Sequence, residues 1–121
     1  MYKEYCIVAK ESLDKMNGIR GKMMGNSGHA FTHAYWDAED RFPEDAKAYR
    51  ASKHAYKIVL VVDTVAELHT LHAAYKDVCG VSLVTDAGFT VFNEPTTTML
   101  GIGPIHVDKI GEDISSLKLL R

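Results

Sequence analysis

The chain predicts a single α/β domain over 1–121, built on a small mixed four-stranded sheet with helices on both faces. Three observations lead there. Short β-branched apolar runs alternate with longer amphipathic stretches. Hydrophobic residues make up 46% and charged residues 25% of the 121, enough apolar material for a core and too much for a disordered chain. No repeat, linker or low-complexity stretch divides the chain.

Tyr5-Cys6-Ile7-Val8-Ala9 is the first strand, and its unbroken apolar character predicts burial on both faces. Asp14, Asn17 and Gly18 mark a loop from Glu11 to Gly21. From Gly21 to Asp40 the periodicity becomes helical, with Met23, Ser27, Ala30, Phe31, Ala34 and Ala38 turned toward a sheet. Pro43-Glu44-Asp45 opens another short helix, with proline and acids at its positive end. Lys57 to Val62 is the clearest strand. Asp63-Thr64 caps a helix running from Val65 to Val78, and Gly80 stops it. Val81 to Thr85 and Thr97 to Ile102 give two more strands, the last ended by Gly103-Pro104. Asp86-Ala87-Gly88 and Asn93-Glu94-Pro95 supply the turns between them. Val107 to Leu120 forms a short helix and a final extended piece.

Charge and cysteine content narrow the function classes. Lys and Arg total 14 against 16 Asp and Glu, a net charge of −2, which excludes a wholesale basic nucleic-acid coat but not a local basic patch. Cys6 and Cys79 are too few for a disulfide scaffold and lack CxxC spacing, so they read as reduced core residues of a cytoplasmic protein. The longest apolar run, Ile58 to Val62, is far short of the ~20 residues that span a bilayer, and the charged N-terminus does not resemble a signal peptide. No membrane partner is expected.

Asn17-Gly18-Ile19-Arg20-Gly21-Lys22 sits between a strand and a helix, where phosphates commonly bind. It is neither a Walker loop, since Met23 follows the Gly-Lys pair, nor a dinucleotide fingerprint. Arg20 and Lys22 nonetheless crowd a helix start, where the macrodipole disfavours cations. Either an anionic partner compensates or both are solvated surface charges. Gly25 and Gly28 within the same helix imply close approach of its backbone to the sheet or to a ligand.

The run Thr85-Asp86-Ala87-Gly88-Phe89-Thr90, followed by Thr96-Thr97-Thr98-Met99-Leu100-Gly101-Ile102-Gly103-Pro104, resembles the signature of the type 2 peptidyl-tRNA hydrolases. That family carries Asp-Ala-Gly-Arg-Thr-Gln, a threonine twelve residues after the aspartate, and Gly-Ile-Gly-Pro. Asp86 and Thr98 keep this spacing. Gly21-Lys22 and His29-Ala30 match its Gly-Lys-x-x-x-Gln-Cys-Ser-His-Ala helix, and Leu117 to Leu120 its ending. Asn26, Ser27 and Gly28 replace Gln-Cys-Ser, Arg20 replaces a lysine, and Phe89 and Val91 replace the Arg and Gln beside Thr90.

The resemblance implies hydrolysis of the ester between peptide and tRNA, with peptidyl-tRNA as partner, no cofactor and no metal. It implies Lys22, Asp86, Thr90 and Thr98 as catalytic residues, and Arg20, Asn26 and His29 as substrate-binding ones. A homodimer is compatible with it. On this expectation Asp86 orients or deprotonates water, Thr90 and Thr98 hold the water or ester, and Lys22 offsets developing negative charge. The alternative is a non-catalytic RNA- or protein-binding module on the same fold, favoured by the apolar Phe89 and Val91. His29, His33 and Asp37, at i, i+4 and i+8, line one helix face but lack an HExxH pattern. Phe31, Tyr35, Trp36, Phe42 and Tyr49 either stack a nucleobase or pack.

Overall fold

The computed structural model describes residues 1–87 and 94–121. Strand β1 (Tyr2–Ala9) leads into helices α1 (Lys10–Lys15), α2 (Arg20–Arg41) and α3 (Pro43–Ala51). Strand β2 (Lys57–Val62), helix α4 (Val65–Tyr75), and strands β3 (Val81–Asp86) and β4 (Thr96–His106) follow. A 3₁₀ turn, helix α5 (Glu112–Ser115) and strand β5 (Lys118–Leu119) complete the chain. The sheet is mixed, in the order β3-β4-β1-β2-β5. It pairs β1 with β2 in parallel and all other neighbours antiparallel.

Among the described residues the strand count is therefore five, not four. The extra strand is two residues long, pairing Lys118 and Leu119 with Val61 and Leu60. Both are exposed, so no apolar alternation announces them.

As its composition predicts, β1 is buried on both faces. Tyr5, Ile7 and Ala9 pack with Leu68, Leu71 and Tyr75 of α4. Cys6 and Val8 pack on the opposite side with Ala30 of α2 and Met99. Both cysteines are buried free thiols, and burial pushes each pKa up to about 12. Thr64 caps α4, its hydroxyl accepting from the Glu67 N–H at 3.3 Å, as expected.

Three local expectations need correction. The stretch after β1 is not wholly loop. Lys10–Lys15 forms a helical turn supported by the Lys10–Asp14 pair at 3.1 Å, and Asn17 and Gly18, with φ of 49° and 76°, end it. Strand β4 does not stop at Gly103-Pro104 but runs to His106. Gly103, at φ +109°, absorbs a register shift against β1, and a Cβ there would lie 2.8 Å from the Lys3 carbonyl. The buried stripe of α2 is Asn26, Ala30, Ala34 and Ala38, with Asn26 in place of Ser27.

The fit of α2 on the sheet comes from small residues on both sides. A Cβ on Gly101 would strike the Ala30 carbonyl, and one on Gly80 the Ala34 carbonyl. These glycines, rather than Gly25 and Gly28, mark the close approach of helix to sheet. A Cβ at Gly21, Gly25 or Gly28 would meet nothing within 4 Å. No helix among the described residues is long and apolar enough to cross a membrane.

Candidate active site

The cations at the start of α2 have a local explanation. The helix has no side-chain cap and no acid in its first turn, so nothing on the helix itself offsets Arg20 and Lys22. The counter-charge comes from the sheet. Asp86, the last residue of β3, places its carboxylate 2.9 Å from the Lys22 Nζ. The pair is largely withdrawn from water, with 20% of the Lys22 side chain and 8% of the Asp86 side chain exposed. Withdrawing the pair from water costs solvation of both charges, so removing either member would leave a largely buried charge and cost more than breaking a surface ion pair.

Behind the ion pair stands a short polar relay. Asn26, one turn along α2, donates from Nδ2 to the Lys22 carbonyl at 2.8 Å. Its Oδ1 accepts from the Thr98 hydroxyl at 3.2 Å. Thr98 is fully buried in β4. Its hydroxyl donates its proton to Asn26, which links Thr98 through that amide to the backbone of Lys22. Ser12, also buried, donates to the neighbouring Thr97 carbonyl at 2.7 Å and anchors α1 to β4.

A cleft of about 390 Å³ opens over these groups, lined by Lys22, Asn26, His29 and Asp86 together with the glycines Gly21 and Gly25. The open space beside both glycines is cleft volume. Of the two explanations for Gly25, ligand access fits and sheet contact does not.

Lys22, Asn26, His29, Asp86 and, at one remove, Thr98 are thus brought together. Arg20 is the exposed first residue of α2 and does not line the cleft. Thr90, Phe89 and Val91 lie outside the described residues.

His29 is exposed and starts a ladder of rings along α2. Its ring lies 5.2 Å from that of His33, which stacks on Trp36 at 5.1 Å. Asp37 does not join the histidines. It takes two hydrogen bonds from Arg41, at 2.9 and 2.6 Å, and one from the Val81 N–H. Among the described residues no group of three or more His, Cys, Asp or Glu could hold a metal ion. The aromatic set divides: Trp36 is exposed, whereas Tyr49 is buried.

The role of Asn26 as a bridge between Lys22 and Thr98 was not legible from the chain. Its only signal is position, since Asn26 sits four residues from both Lys22 and Ala30, on the buried face of the helix.

Comparison with known proteins gives a consistent result. Residues 3–120 match the family model described as "Peptidyl-tRNA hydrolase PTH2". A Methanococcus vannielii protein named "Peptidyl-tRNA hydrolase" is 36% identical over 121 residues, covering 97% of this chain and 98% of its own length. A protein of the same name from Methanocaldococcus jannaschii is 31% identical over 102 residues, covering 84% of this chain and 88% of its own. "Peptidyl-tRNA hydrolase 2, mitochondrial" of Mus musculus is 31% identical over 116 residues, 96% of this chain but 64% of the mouse protein.

Proposed function

The chain belongs to the peptidyl-tRNA hydrolase PTH2 family, and from that membership we propose that it hydrolyses the ester joining a peptide to tRNA, releasing both. The observation that carries the reading is the Lys22–Asp86 pair, a carboxylate and an ammonium 2.9 Å apart in the wall of an open cleft. Ester hydrolysis asks for two things: a water aimed at the carbonyl carbon, and positive charge where the tetrahedral oxyanion forms.

In this proposal Asp86 accepts a hydrogen bond from the attacking water and draws off its proton. Lys22 faces the developing oxyanion, where a fixed ammonium in a partly dry cleft is worth more than one in bulk water. Asn26 and Thr98 fix the helix backbone at Lys22, since the Asn26 amide donates to the Lys22 carbonyl and accepts from the Thr98 hydroxyl. His29 lines the outer side of the cleft toward the substrate. Arg20, exposed at the helix start, meets substrate phosphates outside the cleft itself. Thr90 keeps the role the family resemblance gives it. The proposed compartment is the cytoplasm, in keeping with two buried unoxidised thiols.

Deacylation of a peptidyl-tRNA by the purified chain tests this. Asp86→Asn and Lys22→Ala should each lower the rate by at least about a hundredfold, with folding confirmed beforehand by thermal melts. Undiminished turnover in both variants removes the assignment. Binding of peptidyl-tRNA by the unaltered chain without release of tRNA would favour the non-catalytic alternative.

A further inference from the structure

A second cavity of about 390 Å³ lies between α2, α3 and the start of the sheet. It belongs to neither the cleft nor the ion pair. Nine residues of α2, about 13 Å of helix at 1.5 Å per residue, separate Phe31 in its wall from Lys22. Phe31, Tyr35 and Tyr49 supply aromatic walls, Arg50 and Lys57 supply cations, and Glu4 is part of the lining with Thr32 and Ala55.

Glu4 is the anomaly. It is 1% exposed, and its Oε2 is buried without a hydrogen-bond partner. Native interiors rarely leave such an atom unmatched, because an unmade hydrogen bond forfeits the desolvation of the group. Two of the polar groups beside it are engaged with each other and with backbone. The Lys57 ammonium donates to the Tyr49 hydroxyl at 3.0 Å and the Ala55 carbonyl at 3.2 Å. The Tyr49 hydroxyl donates to the Ala55 carbonyl at 2.7 Å. A carboxyl thus waits at the edge of an aromatic pocket with two cations beside it.

We propose that this cavity is a nucleotide-binding site, with the base against Phe31, Tyr35 and Tyr49, its hydrogen-bonding edge on the Glu4 carboxyl, and its phosphate at Arg50 and Lys57. Each part of the lining matches one part of that ligand. Aromatic side chains stack on the π-face that every base presents. Burial pushes the Glu4 carboxyl up to about 8, against the opposing pull of Lys57. Near neutral pH it therefore offers one O–H donor and one carbonyl acceptor. A base edge carries adjacent donors and acceptors of the same spacing. The Arg50 guanidinium and the remaining N–H of the Lys57 ammonium then face the phosphate. The volume falls within the range of small-ligand pockets. The ligand is a free mononucleotide or a nucleotide of an RNA strand.

Titration of the chain with AMP, GMP, CMP and UMP, followed by backbone amide NMR shifts, tests the site. At least one should bind, moving resonances of β1, the middle of α2 and α3 rather than Lys22 and Asp86. Glu4→Gln, whose amide also pairs a donor with an acceptor, should keep the affinity within about threefold. Glu4→Leu should weaken binding at least about tenfold while raising the melting temperature, because it removes an unpartnered buried polar atom. Arg50→Ala should weaken it about tenfold and flatten its salt dependence. A 5′-phosphorylated trinucleotide that binds more tightly than the best mononucleotide assigns the site to RNA. Mononucleotide binding alone assigns it to a free nucleotide. The proposal is overturned if no mononucleotide binds at millimolar concentration, if Glu4→Leu binds as the parent does, or if the shifts cluster at the Lys22–Asp86 cleft. A cavity holding water only gives the first of these results.

Discussion

Glu4→Gln should remove a pH dependence of stability that runs opposite to the usual acid denaturation. In the unfolded chain this carboxyl titrates near 4.5, whereas in the fold burial raises it to about 8. The folded state therefore holds a proton that the unfolded state gives up across that interval. Stability contributed by Glu4 is greatest below the unfolded value, falls as pH rises between the two, and levels off above the folded one. Linkage sets the slope at about 1.4 kcal/mol per pH unit, so the total between pH 5 and pH 8 is on the order of 4 kcal/mol. Against a domain stability of about 5–15 kcal/mol, that is a large fraction. Glutamine carries the same unpartnered polar burden at every pH and has no slope of its own. Urea unfolding of both proteins at pH 5, 6.5 and 8, followed by circular dichroism, reads the difference. It should move in favour of Glu4→Gln by several kcal/mol from the lowest pH to the highest. A difference constant to within about 0.5 kcal/mol across that range would show that Glu4 is ionised or hydrated in the fold, and the reasoning would fall.

Gly101→Ala should cost at least about 3 kcal/mol in chemical denaturation, because the new methyl meets backbone rather than a yielding side chain. Thr98→Val keeps the shape of the buried site but takes the donor from Asn26. It should cost roughly 1 kcal/mol in stability and lower peptidyl-tRNA turnover through looser placement of Lys22, less than Lys22→Ala does. Asp37→Asn should cost about 1–2 kcal/mol at neutral pH. The Arg41 hydrogen bonds hold the Asp37 carboxyl below its ordinary range. That contribution is therefore present above pH 4 and fades as the solution is acidified, and melts of the parent and variant should converge at low pH.

The parts of the fold legible in the chain are those where burial writes a pattern. The apolar run of β1 and the Thr64 cap both had a physical signature and are found where it puts them. Strand β5 was legible only as a final extended piece and not as part of the sheet, because two exposed residues joined to β2 by backbone alone leave side chains unconstrained. Turn-forming residues at Asp14, Asn17 and Gly18 obscured α1, since the same residues that make a loop also terminate a helix. The glycines misled in a similar way. Gly25 and Gly28 stand out inside a helix, whereas Gly80 reads as a helix stop and Gly101 lies in mid-strand, and it is their missing side chains that admit α2.

At the site, cations in the wrong place for the helix dipole were the one physical clue to Lys22, and Asp86 alone read as an ordinary turn residue. Their meeting depends on a contact between elements 64 positions apart in the chain, which composition and periodicity do not encode. The family resemblance supplied it. Glu4 escaped notice because a charged residue beside a strand looks like surface until the helix that covers it is in place.

Ala30 and Ala34 lie directly against Gly101 and Gly80, so at these two points the backbone of the helix meets that of the sheet with almost no side chain between them. Such a joint has nothing soft to compress. Added bulk at either point must push α2 away from the sheet, and the same helix carries Lys22 to Asp86. Substitutions in this seam should therefore behave like active-site lesions at a distance, disabling chemistry at doses of strain that still leave most of the molecule folded.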